Sequence, residues 1–157
     1  MPVRVQTADF DLTSEVLQLR AANPSIGALA SFVGTVRALN DGRIVTEMEL
    51  EHYPGMTEKA LEAIVAEAQR RWPSIDALVV HRVGKLMPLD QIVLVATTAA
   101  HRSDAFASCE FVIDYLKTQA PLWKKEQTEN GAHWVDAHVS DAAALACWEV
   151  NARNEGD

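Results

Sequence analysis

Two lysines separated by a proline are the strongest chemical signal in this chain: Lys117-Thr-Gln-Ala-Pro-Leu-Trp-Lys124, followed by Lys125 and Glu126. Lys117 closes an amphipathic helical pattern, Pro121 breaks it, and Lys124 stands in the extended stretch beyond. A chain that folds back at Pro121 turns both ammonium groups toward one pocket. Like charges a few ångströms apart lower one another's pKa by roughly 1–3 units. A lysine depressed in this way is a nucleophile or general base near neutral pH. Glu126 has the parity of Lys124 along a strand and can pair with it. The same helix is entered through His101 and Arg102, with Ser103 as the expected cap. Cations there oppose the helix dipole, and breaches of local rules concentrate at functional sites. Free backbone N–H groups, a guanidinium fork and an imidazole together suit a phosphate or carboxylate. Arg37, with Arg43 across a hairpin, adds positive charge.

Each of these residues also has a plainer reading. A lysine in the last helical turn satisfies the dipole and snorkels its stem along the apolar face. Lys124 beside Lys125 is otherwise a solvated strand lysine, and His101-Arg102 an exposed loop pair. His52 and His81 lie within strands and read as core histidines. Cys109 falls on an apolar helix stripe and reads as a small buried hydrophobe. No His/Cys/Asp/Glu spacing resembles a metal site, and there is no Gly-rich phosphate loop, GxSxG or HExxH, so neither metal nor cofactor is expected.

At 157 residues the chain has the length of one domain. We read residues 1–150 as that domain and residues 151–157 as a frayed tail. The formal net charge of -8 argues against nucleic acid, which needs clustered cations. No apolar run approaches the ~18 residues of a membrane span, and the N-terminus lacks a signal-peptide core, so a cytoplasmic location is expected. Cys109 and Cys147 form no CxxC and are expected to be reduced thiols.

The elements that must position these groups follow from periodicity. Strands are expected at Val3–Gln6, Gly27–Val36, Ile44–Tyr53, Ala77–Val83 and Ile92–Thr98, with extended pieces at Trp123–Thr128 and Trp134–His138. Helices are expected at Leu12–Ala22, Thr57–Trp72, from Ser103 to near Lys117, and over Ala142–Trp148 with Asp141 as cap. Asn40-Asp41-Gly42 and Asn130-Gly131 are hairpin turns. The short connections require antiparallel pairing, so the class is α+β, helices packed on a mainly antiparallel sheet.

Four blocks add a resemblance: Glu51-His-Tyr-Pro-Gly-Met-Thr-Glu-Lys-Ala-Leu, His81-Arg-Val-Gly, Ala100-His-Arg-Ser, and Asp114-Tyr-Leu-Lys-Thr-Gln-Ala-Pro-Leu-Trp-Lys-Lys-Glu. In this order, over about residues 3 to 150, they resemble the large, catalytic subunit of molybdopterin synthase. That resemblance implies an α/β-hammerhead fold with a small added antiparallel subdomain. It implies a sulfurtransferase in molybdenum cofactor biosynthesis, converting cyclic pyranopterin monophosphate to molybdopterin by installing two sulfurs as a dithiolene. The sulfur would arrive as a thiocarboxylate on the C-terminal Gly-Gly of a small ubiquitin-like subunit. Two large subunits would form a central homodimer within a heterotetramer, with substrate pockets near the dimer interface.

By motif, the family's essential lysines fall on Lys117 and Lys124, its anion-binding arginine on Arg37, and its His-Arg pair on His101 and Arg102. Glu126 and His138 complete the substrate-facing set. Related sequences can carry an arginine where this chain has His138, which would make a phosphate contact there depend on pH. Two other readings compete. A non-catalytic module binding ubiquitin-like Gly-Gly tails would be indifferent to charge removal at Arg102, and a Schiff-base lyase using Lys117 would be trapped by borohydride.

Overall fold

Long β-branched runs are stable as strands only where both faces are covered, and the two such runs in this chain form the middle of a sheet. The computed structural model describes residues 2–135 and 143–148. In chain order the elements are β1 (Val3–Gln6), α1 (Leu12–Ala21), β2 (Ala28–Thr35), β3 (Leu39–Asn40), β4 (Arg43–His52), α2 (Met56–Arg71), β5 (Asp76–Arg82), β6 (Gly84–Leu86), β7 (Gln91–Ala99), α3 (Arg102–Gln119), β8 (Leu122–Thr128) and β9 (Gly131–Val135).

The first sheet has the order β1-β5-β7-β2. Its β1–β5 pair is parallel and the others are antiparallel. Alternating side chains of β5 and β7 divide between two cores. Ala77, Val79, Val93 and Val95 pack under α2 and α3 with Leu61, Ile64, Val65, Phe111, Val112 and Leu116. Leu78, Val80, Leu94 and Ala96 pack on the other face against Phe10, with Leu12, Val16 and Leu19 at the edge. The period of two along each strand therefore feeds opposite layers.

The second sheet has the order β3-β4-β8-β9, with β6 also paired to β4. Met48 and Leu50 of β4 are buried with Val36, Val83 and Leu86, while Glu51 on the opposite face is exposed. The Asn40–Gly42 turn closes the β3–β4 hairpin, with Asp41 at φ 51° and Gly42 at φ 75°. Two consecutive left-handed residues match the strand twist, and Asp-Gly tolerates them.

The α+β class stands, with one local correction and two additions. Ser103 does not cap α3: the helix begins at Arg102, and His101 is the N-cap without a side-chain hydrogen bond. β6 was not foreseen, because three residues inside a loop-like Gly-Lys-Leu-Met-Pro stretch carry no usable period. α1 is capped by Asp11, which accepts from the Ser14 N–H at 2.8 Å. Residues 143–148 are helical, close to the expected position. Asp141, His138 and the expected tail 151–157 lie outside the described residues. Among the described residues no helix is long and apolar enough to cross a membrane.

Candidate active site

The Pro121 turn is held from outside by the residues of the Glu51–Leu61 block. Tyr53-Pro54-Gly55 ends β4, and Gly55 at φ 85° redirects the chain into α2. The Gly55 N–H donates to the Glu58 carboxylate at 2.6 Å, as in a capping box. This places Thr57, which is fully buried, beneath the turn. The Thr57 hydroxyl donates to the Pro121 carbonyl at 2.9 Å and accepts from the Tyr53 N–H at 3.1 Å. The Tyr53 and Trp123 rings meet edge to face at 4.3 Å. β8 then runs back antiparallel to β4, with Lys124 opposite Leu50 and Glu126 opposite Met48.

The result is a cavity of about 140 Å³ lined by Thr35, Val36, Arg37, Asn40, Met48, Ile92, Lys117, Lys124 and Glu126. Its wall is made where α3 ends, β8 begins, and the chain leaves β2. The β2–β7 register shifts between Gly34 and Thr35. Such a bulge re-aims the residues that follow, here Thr35 to Arg37. Three cations and one carboxylate share this lining, so a chain of net charge -8 gathers positive charge here.

The polar groups form a chain. The Arg37 guanidinium donates to Asn40 Oδ1 at 3.0 Å, and Asn40 Nδ2 donates to Glu126 Oε1 at 2.7 Å. The Lys124 ammonium lies 3.5 Å from the same Glu126 oxygen. Asn40 and Glu126 are only 5 % and 6 % exposed, so the carboxylate is compensated locally, as a buried charge must be. Glu126 is thus an internal counter-ion for Lys124, at the parity the sequence suggested. Lys125, one residue on, turns away, and its ammonium lies over the Trp134 ring at 5.6 Å.

His81 is a core histidine, as expected, yet it belongs to this neighbourhood electrically. Burial pushes its pKa down to about 4, and the electrostatic influence of Lys117 and His52 presses in the same direction. Its Nδ1 is 2.8 Å from the Arg82 carbonyl, which places the ring hydrogen on that nitrogen. His52, half-buried, is 3.7 Å from Glu58. Cys109 is buried, with its thiol pushed up to about 11, chiefly by burial, and is no nucleophile.

Of the residues singled out from sequence, Arg37, Lys117, Lys124 and Glu126 meet in one cavity. His101 and Arg102 do not join them within the chain. They are exposed at the opposite end of α3, and fifteen residues of helix correspond to roughly 22 Å. Arg43 is exposed on the hairpin and does not line the cavity. Asn40 was missed because it reads as a turn residue; only its burial reveals the second role. Among the described residues no group of His, Cys, Asp and Glu could hold a metal ion.

Comparison with known proteins gives the lineage. The family described as "MoaE protein" matches residues 5–119. A molybdopterin synthase catalytic subunit from Ralstonia nicotianae is 66 % identical over 148 residues, covering 94 % of this chain and 84 % of that protein. A solved MoaE protein from Burkholderia ambifaria superposes with a TM-score of 0.82 at 69 % identity, covering 94 % of this chain and 97 % of the other. A molybdopterin synthase structure from Staphylococcus aureus gives a TM-score of 0.77 at 34 % identity, covering 84 % and 95 %. These matches show that the chain belongs to the MoaE family, the catalytic subunits of molybdopterin synthase.

Proposed function

We propose that this cavity is where sulfur passes from the C-terminal thiocarboxylate of a small ubiquitin-like subunit to cyclic pyranopterin monophosphate, building the molybdopterin dithiolene in the cytoplasm. The observation that carries this reading is the convergence of Lys117, Lys124 and Arg37 on one small cavity. An extended anionic tail and a phosphorylated pterin both need positive charge, and here it is concentrated in an otherwise acidic chain.

In this reading Lys117 and Lys124 draw in the thiocarboxylate and move protons while its sulfur forms a C–S bond to a pterin side-chain carbon. The C–O bond at that carbon breaks, its oxygen leaving on the phosphate or as water. Water then cleaves the acyl C–S bond, leaving sulfur on the pterin and a carboxylate on the spent tail. Two such transfers give two sulfurs. In the same reading the Lys117 amine can attack the acyl carbon, forming an amide and releasing hydrosulfide, as a side product.

A cavity of about 140 Å³ is smaller than the roughly 300–1,000 Å³ clefts that hold whole small ligands. One chain therefore grips only part of the pterin. We assign His101 and Arg102, remote from their own cavity, to the cavity of a second copy, where they complete the phosphate site in a homodimer flanked by two small subunits. His138 belongs to the same substrate-facing set. The test is to mix the protein with thiocarboxylated partner and cyclic pyranopterin monophosphate and weigh the products. Dithiolene-bearing molybdopterin is expected, together with partner mass returned to the carboxylate. Tight partner binding with no change in pterin mass would instead favour the tail-binding module.

A further inference from the structure

We propose that Asn40 is a positioning residue for the sulfur-transfer reaction, its one buried amide holding Arg37 and the Glu126–Lys124 pair in a fixed relation. The inference rests on the function proposed above and concerns a residue outside the lysine and arginine machinery.

The amide orientation follows from its neighbours. A guanidinium only donates and a carboxylate only accepts. Oδ1 therefore faces Arg37 at 3.0 Å and Nδ2 faces Glu126 at 2.7 Å. The neutral amide thus supplies an acceptor and a donor from one short planar group. Asn40 also lies in β3, opposite Arg43 and next to the left-handed turn, so its backbone is pinned by the hairpin. The rigid hairpin thus sets the spacing between a cation suited to phosphate and a cation suited to thiocarboxylate. Without the amide, Arg37 is free to swing, and the Glu126 carboxylate, still buried, is left with a weaker set of donors.

The charged groups facing this amide come from several elements. Arg37 follows β2, Lys124 and Glu126 are on β8, and Lys117 lines the same cavity from α3. His133 on β9 stands opposite Glu126 in the register, with its Nε2 buried and without a hydrogen-bond partner. From β4 the residues opposite Glu126 and Lys124 are the apolar Met48 and Leu50.

The test uses the full chain with thiocarboxylated partner and cyclic pyranopterin monophosphate. Asn40→Asp replaces a donor with an acceptor at 2.7 Å from Glu126. Two carboxylates that close cannot both ionise readily and hold one proton between them. The ratio of variant to wild-type kcat is therefore expected to be about tenfold down at pH 8 and to rise as the pH is lowered toward 6. Asn40→Ala, which adds no charge, is expected to lose kcat about equally across that range while partner affinity by titration stays unchanged. If Asn40→Asp fails to fold, Asn40→Ser carries the test through the same split between lowered kcat and unchanged partner affinity. A flat Asn40→Asp ratio across pH, or an alanine variant with wild-type kcat, overturns the proposal. Absence of dithiolene product with the wild-type chain is a separate failure, that of the proposed function itself.

Discussion

The two sheets of this molecule are built on opposite terms. In the first, the central strands β5 and β7 bury apolar side chains on both faces, with α1 on one side and α2 and α3 on the other. In the second, β4, β8 and the β3 hairpin bury Asn40, Glu126 and Thr128 together with Met48 and Leu50. An apolar core tolerates rearrangement among similar volumes, whereas a buried polar chain works only when every member is present. The first sheet therefore fixes where α3 ends, and the second uses that fixed end to set charges against one another. Lys117 belongs to the first layer and Lys124 to the second, so the site is a seam between a stable region and an electrically committed one.

The sharpest way to break this division is across chains. Arg102→Ala and Lys117→Ala are each expected to lose at least about 100-fold in turnover. Because His101 and Arg102 are assigned to a partner copy's cavity, co-refolding the two inactive variants in equal amounts is expected to restore about a quarter of wild-type sites. No recovery in the mixture would place Arg102 in the same chain's site, or in none.

A smaller effect separates the regions by pH. An unfolded His81 protonates near 6.5 and the folded one only near 4. The unfolded state thus binds the extra proton between these values, and the contribution of His81 is complete above pH 6.5 and lost as pH falls toward 4. Urea midpoints are expected to show a loss of about 2 kcal/mol between pH 7 and pH 5 that is absent from His81→Gln. Parallel losses in both proteins would remove His81 from the explanation. Glu67, held down to about 2 by Arg70 and Arg71, titrates below that window.

Thr57→Val keeps the shape under the Pro121 turn and removes its hydrogen bonds. A stability loss of about 1–2 kcal/mol is expected by denaturation, with turnover falling further than stability because the turn aims Lys124. Smallest of all should be Lys125→Ala. Its ammonium sits over Trp134, away from the cavity, and turnover within about twofold of wild type is expected. A large loss there would mean that strand parity does not separate the two neighbouring lysines.

Much of this division was legible in the chain. The β-branched runs announced the buried sheet, the Asp-Gly and Asn-Gly turns announced the hairpins, and the parity of Lys124 with Glu126 announced their pairing. What periodicity could not carry was anything decided by distance across the fold. Asn40 looks like a turn residue because its second role arises from Glu126, 86 positions away. His101 and Arg102 sit in sequence beside the lysine helix, yet that helix is the spacer that separates them from Lys117. The Glu51–Leu61 block is one of those that carry the family resemblance, and the structure gives it a supporting task, through Gly55 and Thr57, at the Pro121 turn.

The decisive measurement is single-turnover dithiolene formation by Lys117→Ala and Lys124→Ala, each loaded with thiocarboxylated partner and cyclic pyranopterin monophosphate. Both are expected to bind the partner and to form product at least about 100-fold more slowly than wild type. Near-normal product formation by either variant would contradict the assignment of the shared cavity as the place of sulfur transfer.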